Sequence, residues 1–204
     1  MTFSLLLLIY VNTFVYGNTI ILRHDTIIVT LHTNKVKSAN YMDKTKKRLL
    51  FVCLGNICRS PAAEGVMKQI VFNSPELRGN IIVDSAGIGA WHTGQLPDHR
   101  MREAGAERGY DFSSRARQVK ADDFKGFDYV FAMDHENIAD LNRIAPDEES
   151  KNKIRCLADY MTSHPQYDTV PDPYYGTMKD FRLALDLIED ACEEMAERLK
   201  SGSI

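Results

Sequence analysis

FVCLGNICRSPAAEG, residues 51–65, joins an apolar run to a helix start through a short loop. The run at residues 49–54 is continuous rather than alternating, the mark of a strand buried on both faces. Cys53 stands near its carboxyl end, Gly55 and Asn56 break it, and Pro61 opens a helix with Ser60 placed as the cap. A loop curled between strand and helix points successive N–H groups inward and makes a nest for a tetrahedral oxyanion. The helix adds its positive end. Arg59, six residues after Cys53, can take two anion oxygens side by side, which lysine cannot. The same field favours the thiolate of Cys53, and Ser60 is placed to donate to that sulfur. The stretch therefore predicts an anion cradle with a nucleophile inside it.

Outward from this loop, strand and helix patterns alternate. The first helix is expected over residues 61–72, with Ala62, Val66, Ile70 and Val71 inward. Further strands are expected at 81–84, 129–133 and 154–157, and helices at 98–108, 136–143 and 178–199. Asp122 and Asp123 read as the cap of a short turn, and residues 158–176 as a long loop. The predicted fold is α/β: one three-layer domain, a four-stranded parallel sheet with helices on both faces, and the phosphate loop after the first strand. In such sheets ligands bind beyond the carboxyl ends of strands, which is where Cys53 stands.

A thiolate that displaces an oxygen from phosphorus needs a proton donor for that oxygen. Asp172, in VPDPYYG (residues 170–176), is the candidate. Pro171 and Pro173 stiffen its loop, and Tyr174 and Tyr175 supply aromatic wall. Trp91, the single tryptophan, lies in the glycine-rich loop after the second strand and is placed to form the other wall of a slot for a flat ring. The histidines at 92, 99, 135 and 164 and the four cysteines show no metal-ligand spacing, so no metal is expected.

The 204 residues, 44% hydrophobic, suffice for one sizeable core. A net charge of -3 argues against nucleic acid as a main partner. Two cysteines on one loop suit a reducing compartment, and a cytoplasmic monomer is expected. Residues 1–41 differ in kind: no charge appears before Arg23, and LLLLIYV sits within the apolar part. We read the functional domain as residues 42–204, starting at Met42, with 1–41 an extension outside it. A weak membrane anchor and a secretory signal are the alternatives, and a membrane partner follows only if that extension is retained.

The residues quoted resemble the low-molecular-weight protein-tyrosine phosphatase family, over about residues 47–199. VCLGNICRSPAAEG is similar to its phosphate loop, VDSAG to its second strand and DPYYG to its acid loop. PDHR (97–100), ARQV (116–119), the stretch 122–134 and LNR (141–143) are similar too. The resemblance implies Cys53 as nucleophile, Arg59 as phosphate ligand and Asp172 as general acid, with no cofactor. It implies that Leu54, Gly55, Asn56, Ile57, Cys58, Ser60, Trp91 and Tyr174 bind the substrate. Asn56 would be a strained loop residue held in part by Ser85, and Cys58 a second cysteine able to form a reversible disulfide with the nucleophile. Phosphotyrosine-containing proteins are the implied partners. Ser114 departs from the histidine that animal members carry as a loop buttress. Arsenate reductases and protein-arginine phosphatases resemble the loop as well. The first would need further paired redox cysteines, and the second carries threonine in place of Ile57 and lacks the paired tyrosines.

Overall fold

The computed structural model describes residues 12–16, 19–24, 27–32 and 46–204. The chain divides into two units, Met1–Asp43 and Lys44–Ile204. In the first, β1 (Asn12–Tyr16), β2 (Thr19–His24) and β3 (Ile27–His32) form an antiparallel meander, with Phe14 opposite Ile21 and Ile21 opposite Thr30. Residues 1–11, which carry much of the anchor or signal reading, and Met42 lie outside the described residues. Among the described residues no helix is long and apolar enough to cross a membrane.

The second unit is built on four parallel strands: β4 (Lys47–Cys53), β5 (Ile81–Gly87), β6 (Tyr129–Ala132) and β7 (Ile154–Cys156). Their order in the sheet is β5-β4-β6-β7. The apolar run of β4 is buried on both faces because its side chains alternate between two cores. Leu49, Phe51 and Cys53 pack with α1 (Arg59–Asn73) through Ala62, Val66 and Met67. The same core takes Met101 and Ala104 of α2 (His99–Ala106). Leu50 and Val52 face the other way, onto Phe124 of α3 (Asp123–Gly126) and Leu141 of α4 (His135–Ile144). After α5 (Glu148–Lys151) and a 3₁₀ turn at Leu157–Tyr160, α6 (Met178–Ser201) returns to the first core through Phe181, Leu185, Ile188 and Met195. This is the expected three-layer α/β fold. The chain leaves β4 for β5 on one side and then crosses to β6 on the other, so the carboxyl end of β4 is the topological switch point.

Several boundaries differ from the sequence reading, each for a local reason. β5 runs on to Gly87 because Gly87 pairs with Cys53 and bridges to Gln118. α1 begins at Arg59, and Ser60 is not its cap: the hydroxyl turns inward to Cys53 and Ala86. Asp122 makes no side-chain cap either. The Asp123 carboxylate instead accepts from the Lys120 N–H at 2.7 Å. The four-residue helix α5 and the 3₁₀ turn were not expected, being too short to show a period.

Candidate active site

Cys53 ends the strand at the switch point, and the loop after it closes over the sulfur. Sγ accepts the Asn56 N–H at 3.3 Å and lies 3.0 Å from Ser60 Oγ. The Ser60 hydroxyl also receives Asn56 Nδ2 at 2.9 Å and reaches the Ala86 carbonyl at 3.1 Å. Its single proton can therefore go to Cys53 or to Ala86, and negative charge on sulfur draws it to Cys53. Among the described residues, the N–H groups of Gly55, Ile57, Cys58 and Arg59 reach no protein acceptor, which leaves them to oxygens brought from outside. Cys58, on the same loop, is different in character. Burial, reinforced by the charges of Cys53, Asp98 and Asp172, pushes its thiol far up, so it stays protonated at neutral pH.

Arg59 is the largest fully buried side chain, at 2% exposure, and it is held on three sides. Nη1 donates to Asp134 Oδ2 at 2.6 Å and to the Val170 carbonyl at 3.0 Å, and Nη2 donates to Asp172 Oδ2 at 2.5 Å. Burial works against its charge, but Cys53, Asp172 and Asp134 outweigh it and hold the guanidinium firmly protonated. Nε alone is buried without a partner. A buried donor left unmatched costs about 1–3 kcal/mol, and the Nε and Nη2 edge can donate to two acceptor oxygens side by side.

Behind the loop lies a polar brace. Asn56 sits at φ 56°, a left-handed conformation that asparagine tolerates better than most residues. Its side chain donates to Ser60 and to Ser85 Oγ at 2.8 Å and accepts the Arg117 N–H at 2.8 Å. Ser85 donates in turn to the buried Glu64 at 2.5 Å, and Glu64 is paired with Lys68. A Cβ at Gly87 would stand 2.9 Å from the Asn56 nitrogen, so only glycine lets the loop rest on β5. Ser85 and the Arg117 backbone brace the loop from behind.

The structure brings Cys53, Leu54, Gly55, Ile57, Cys58, Arg59, Asp172, Trp91 and Tyr174 around one cleft of about 330 Å³, joined by His92 and Tyr175. Asn56 and Ser60, expected among the substrate-binding residues, stand behind the loop with Ser85 and do not line the cleft, because their side chains turn inward to one another and to the sulfur. Trp91 and Tyr175 are exposed at the rim, at 71% and 98%. A Cβ at Gly89 would strike the Trp91 ring, so the indole lies against backbone there. Two residues of consequence escaped the sequence reading. Asp134 orients Arg59 while its other oxygen caps α4 by accepting from the Asn137 N–H at 2.7 Å. Its signal was an aspartate directly after a strand, on the ligand-binding edge. Glu64 stood in the buried stripe of α1, where a carboxylate needs a partner.

A sequence profile described as Low molecular weight phosphotyrosine protein phosphatase matches residues 48–203. Low molecular weight protein-tyrosine-phosphatase YfkJ of Bacillus subtilis is 42% identical over 148 residues, covering 72% of this chain and 92% of that protein. The low molecular weight phosphotyrosine protein phosphatase of Sus scrofa is 35% identical over 160 residues, covering 78% and 99%. A crystal structure of a protein tyrosine phosphatase from Entamoeba histolytica, with Hepes in its active site, is similar at TM-score 0.74 and 48% identity. It covers 78% of this chain and 100% of that one. Sequence, fold and the cleft around Cys53 agree: the chain belongs to the low molecular weight phosphotyrosine protein phosphatase family.

Proposed function

We propose that the chain hydrolyses phosphotyrosine in proteins, and small aryl phosphates, through a cysteinyl-phosphate formed on Cys53. The observation that carries this is the convergence of the Cys53 sulfur, the unmatched Nε of Arg59 and the Asp172 carboxyl in one cleft rimmed by Trp91 and Tyr174. In the first step the sulfur attacks phosphorus in line and the bond to the phenolic oxygen breaks. Arg59 Nε and Nη2 and the loop N–H groups hold the equatorial oxygens, where the transition-state charge gathers. Asp172 gives its proton to the departing phenolic oxygen. In the second step Asp172, now a carboxylate, takes a proton from water as that water attacks phosphorus. The S–P bond breaks and the electron pair returns to Cys53, where the Asn56 N–H and the Ser60 hydroxyl receive it. The charge stabilisation comes from Arg59 and backbone, so the scheme needs no cofactor. Ile57, Trp91 and Tyr174 give the cleft apolar walls suited to an aryl ring. The nucleophile must stay reduced, which suits the cytoplasm, and all four cysteines are free.

Steady-state hydrolysis of phosphotyrosine, phosphoarginine and phosphoserine peptides, side by side, tests the substrate. Phosphotyrosine should be turned over far faster than the others. Cys53→Ser should abolish turnover, and Asp172→Ala should lower it by about 10²–10⁴-fold and change its pH dependence. Rapid quenching of Asp172→Ala with labelled 2,4-dinitrophenyl phosphate, whose leaving oxygen needs no proton, should trap phosphate on Cys53. Turnover retained in Cys53→Ser would end the proposal.

A further inference from the structure

Asp172 is held from two sides. Its Oδ2 accepts from Arg59 Nη2, and its Oδ1 accepts from the Tyr174 N–H at 3.1 Å. The first hold is lost when phosphoryl oxygens take the Nε and Nη2 edge of Arg59. The second lasts only if the turn carrying Tyr174 keeps its place. Arg100 fixes that turn. Its Nη2 donates to the Tyr174 carbonyl at 3.0 Å and its Nη1 to the Gly176 carbonyl at 3.2 Å. Its Nε and Nη2 also clasp both oxygens of Asp98, at 3.0 and 2.8 Å. The guanidinium carbon lies 4.4 Å from the ring centre of buried Phe181 and 5.9 Å from that of Tyr174, so packing sets its plane as well.

Asp98 completes the connection by donating its backbone N–H to the Ile57 carbonyl of the phosphate loop at 2.7 Å. A strap thus runs from Ile57 through Asp98 and Arg100 to Tyr174 and the Asp172 carboxylate, by a route that avoids Arg59. Hydrogen bonding to Arg100 holds the Asp98 carboxyl below its ordinary value, so this pair stays ionised at working pH. The planar fork of Arg100 serves a carboxylate and two carbonyls at once, a task beyond one ammonium group.

We infer that Arg100 is a positioning residue for leaving-group protonation: it keeps the turn after Asp172 in register with the phosphate loop once substrate has drawn Arg59 away. The inference rests on Asp172 being the general acid. It is tested in the full chain by kcat/KM for phenyl phosphate, whose leaving oxygen needs a proton, and 2,4-dinitrophenyl phosphate, whose leaving oxygen does not. Arg100→Gln should lose about tenfold on the first and little on the second, and Arg100→Lys should do the same. In an Asp172→Ala background Arg100→Gln should cost nothing further on phenyl phosphate. Equal losses on both esters, or the same loss with and without Asp172, would show that Arg100 only supports the fold and overturn the inference. Arg100→Lys carries the comparison if Arg100→Gln does not fold. An Asp172→Ala variant that slows both esters equally would instead remove the general acid itself, and the inference with it.

Discussion

Ser60 carries one hydroxyl proton and two acceptors compete for it, the Cys53 sulfur and the Ala86 carbonyl. When sulfur carries charge, as attacking group or as leaving group, the proton belongs with it. A hydrogen bond to a charged group is worth about 1.5–3 kcal/mol, so Ser60→Ala should lower kcat by roughly ten- to a hundredfold. Single-turnover kinetics should place part of that loss in breakdown of the cysteinyl-phosphate. An unchanged breakdown rate would assign Ser60 to loop shape alone. Cys53, Arg59 and Asp172 were legible in the sequence because strand end, helix start and flanking prolines are local features. Asp134 and Glu64 were not, since their importance lies in contacts with Arg59 and Ser85, side chains that only the folded sheet brings near. Ser60 was legible as a partner of sulfur and misread as a cap, because sequence cannot say which way a hydroxyl turns.

At the scale of elements, α6 grips the chain that runs toward Asp172. The Asp190 carboxylate of α6 accepts from Thr162 Oγ1 at 3.0 Å and from the Ser163 N–H at 3.0 Å, and pairs with His164 Nδ1 at 2.9 Å. Burial disfavours its charge, but His164 and the Thr162 and Ser163 N–H groups together hold it below the ordinary carboxylate value. A depressed folded value contributes stability that is full above the unfolded value, about 3.9, and is lost as pH falls through the folded one. Asp190→Asn should therefore lower stability at pH 7 by about 1–3 kcal/mol, and the gap should close below about pH 4. Urea unfolding at both pH values checks this, and a gap independent of pH would contradict it. The long elements were legible because α6 repeats its apolar spacing over many residues and β4 is an unbroken apolar run. Of the 3₁₀ turn at Leu157–Tyr160, Leu157 was read as the end of a strand and the rest as loop, since four residues there carry no period.

For the whole molecule, the side chains of β4 point alternately into both cores, and its end sets Cys53 where the chain changes direction across the sheet. That is why the layered fold could be foreseen from residues 49–65, while the N-terminal meander could not be related to it. By our reading the catalytic unit needs nothing before its own first strand. A chain beginning at residue 44 should keep the kcat/KM and the Tm of the full protein. A clear fall in either would give strands β1–β3 a part in the enzyme.

The contact between Arg59 and Asp172 has a consequence for affinity. The cation of the cradle is already neutralised by a carboxylate of its own chain, so any incoming dianion must displace an internal competitor. An aryl substrate, as proposed, would offset that penalty with its ring, which the rim can grip. Inorganic phosphate has no ring to offer. By the proposed mechanism, weak retention of product, and turnover that does not stall as phosphate accumulates, follow from an acid that doubles as the resting occupant of the site it serves.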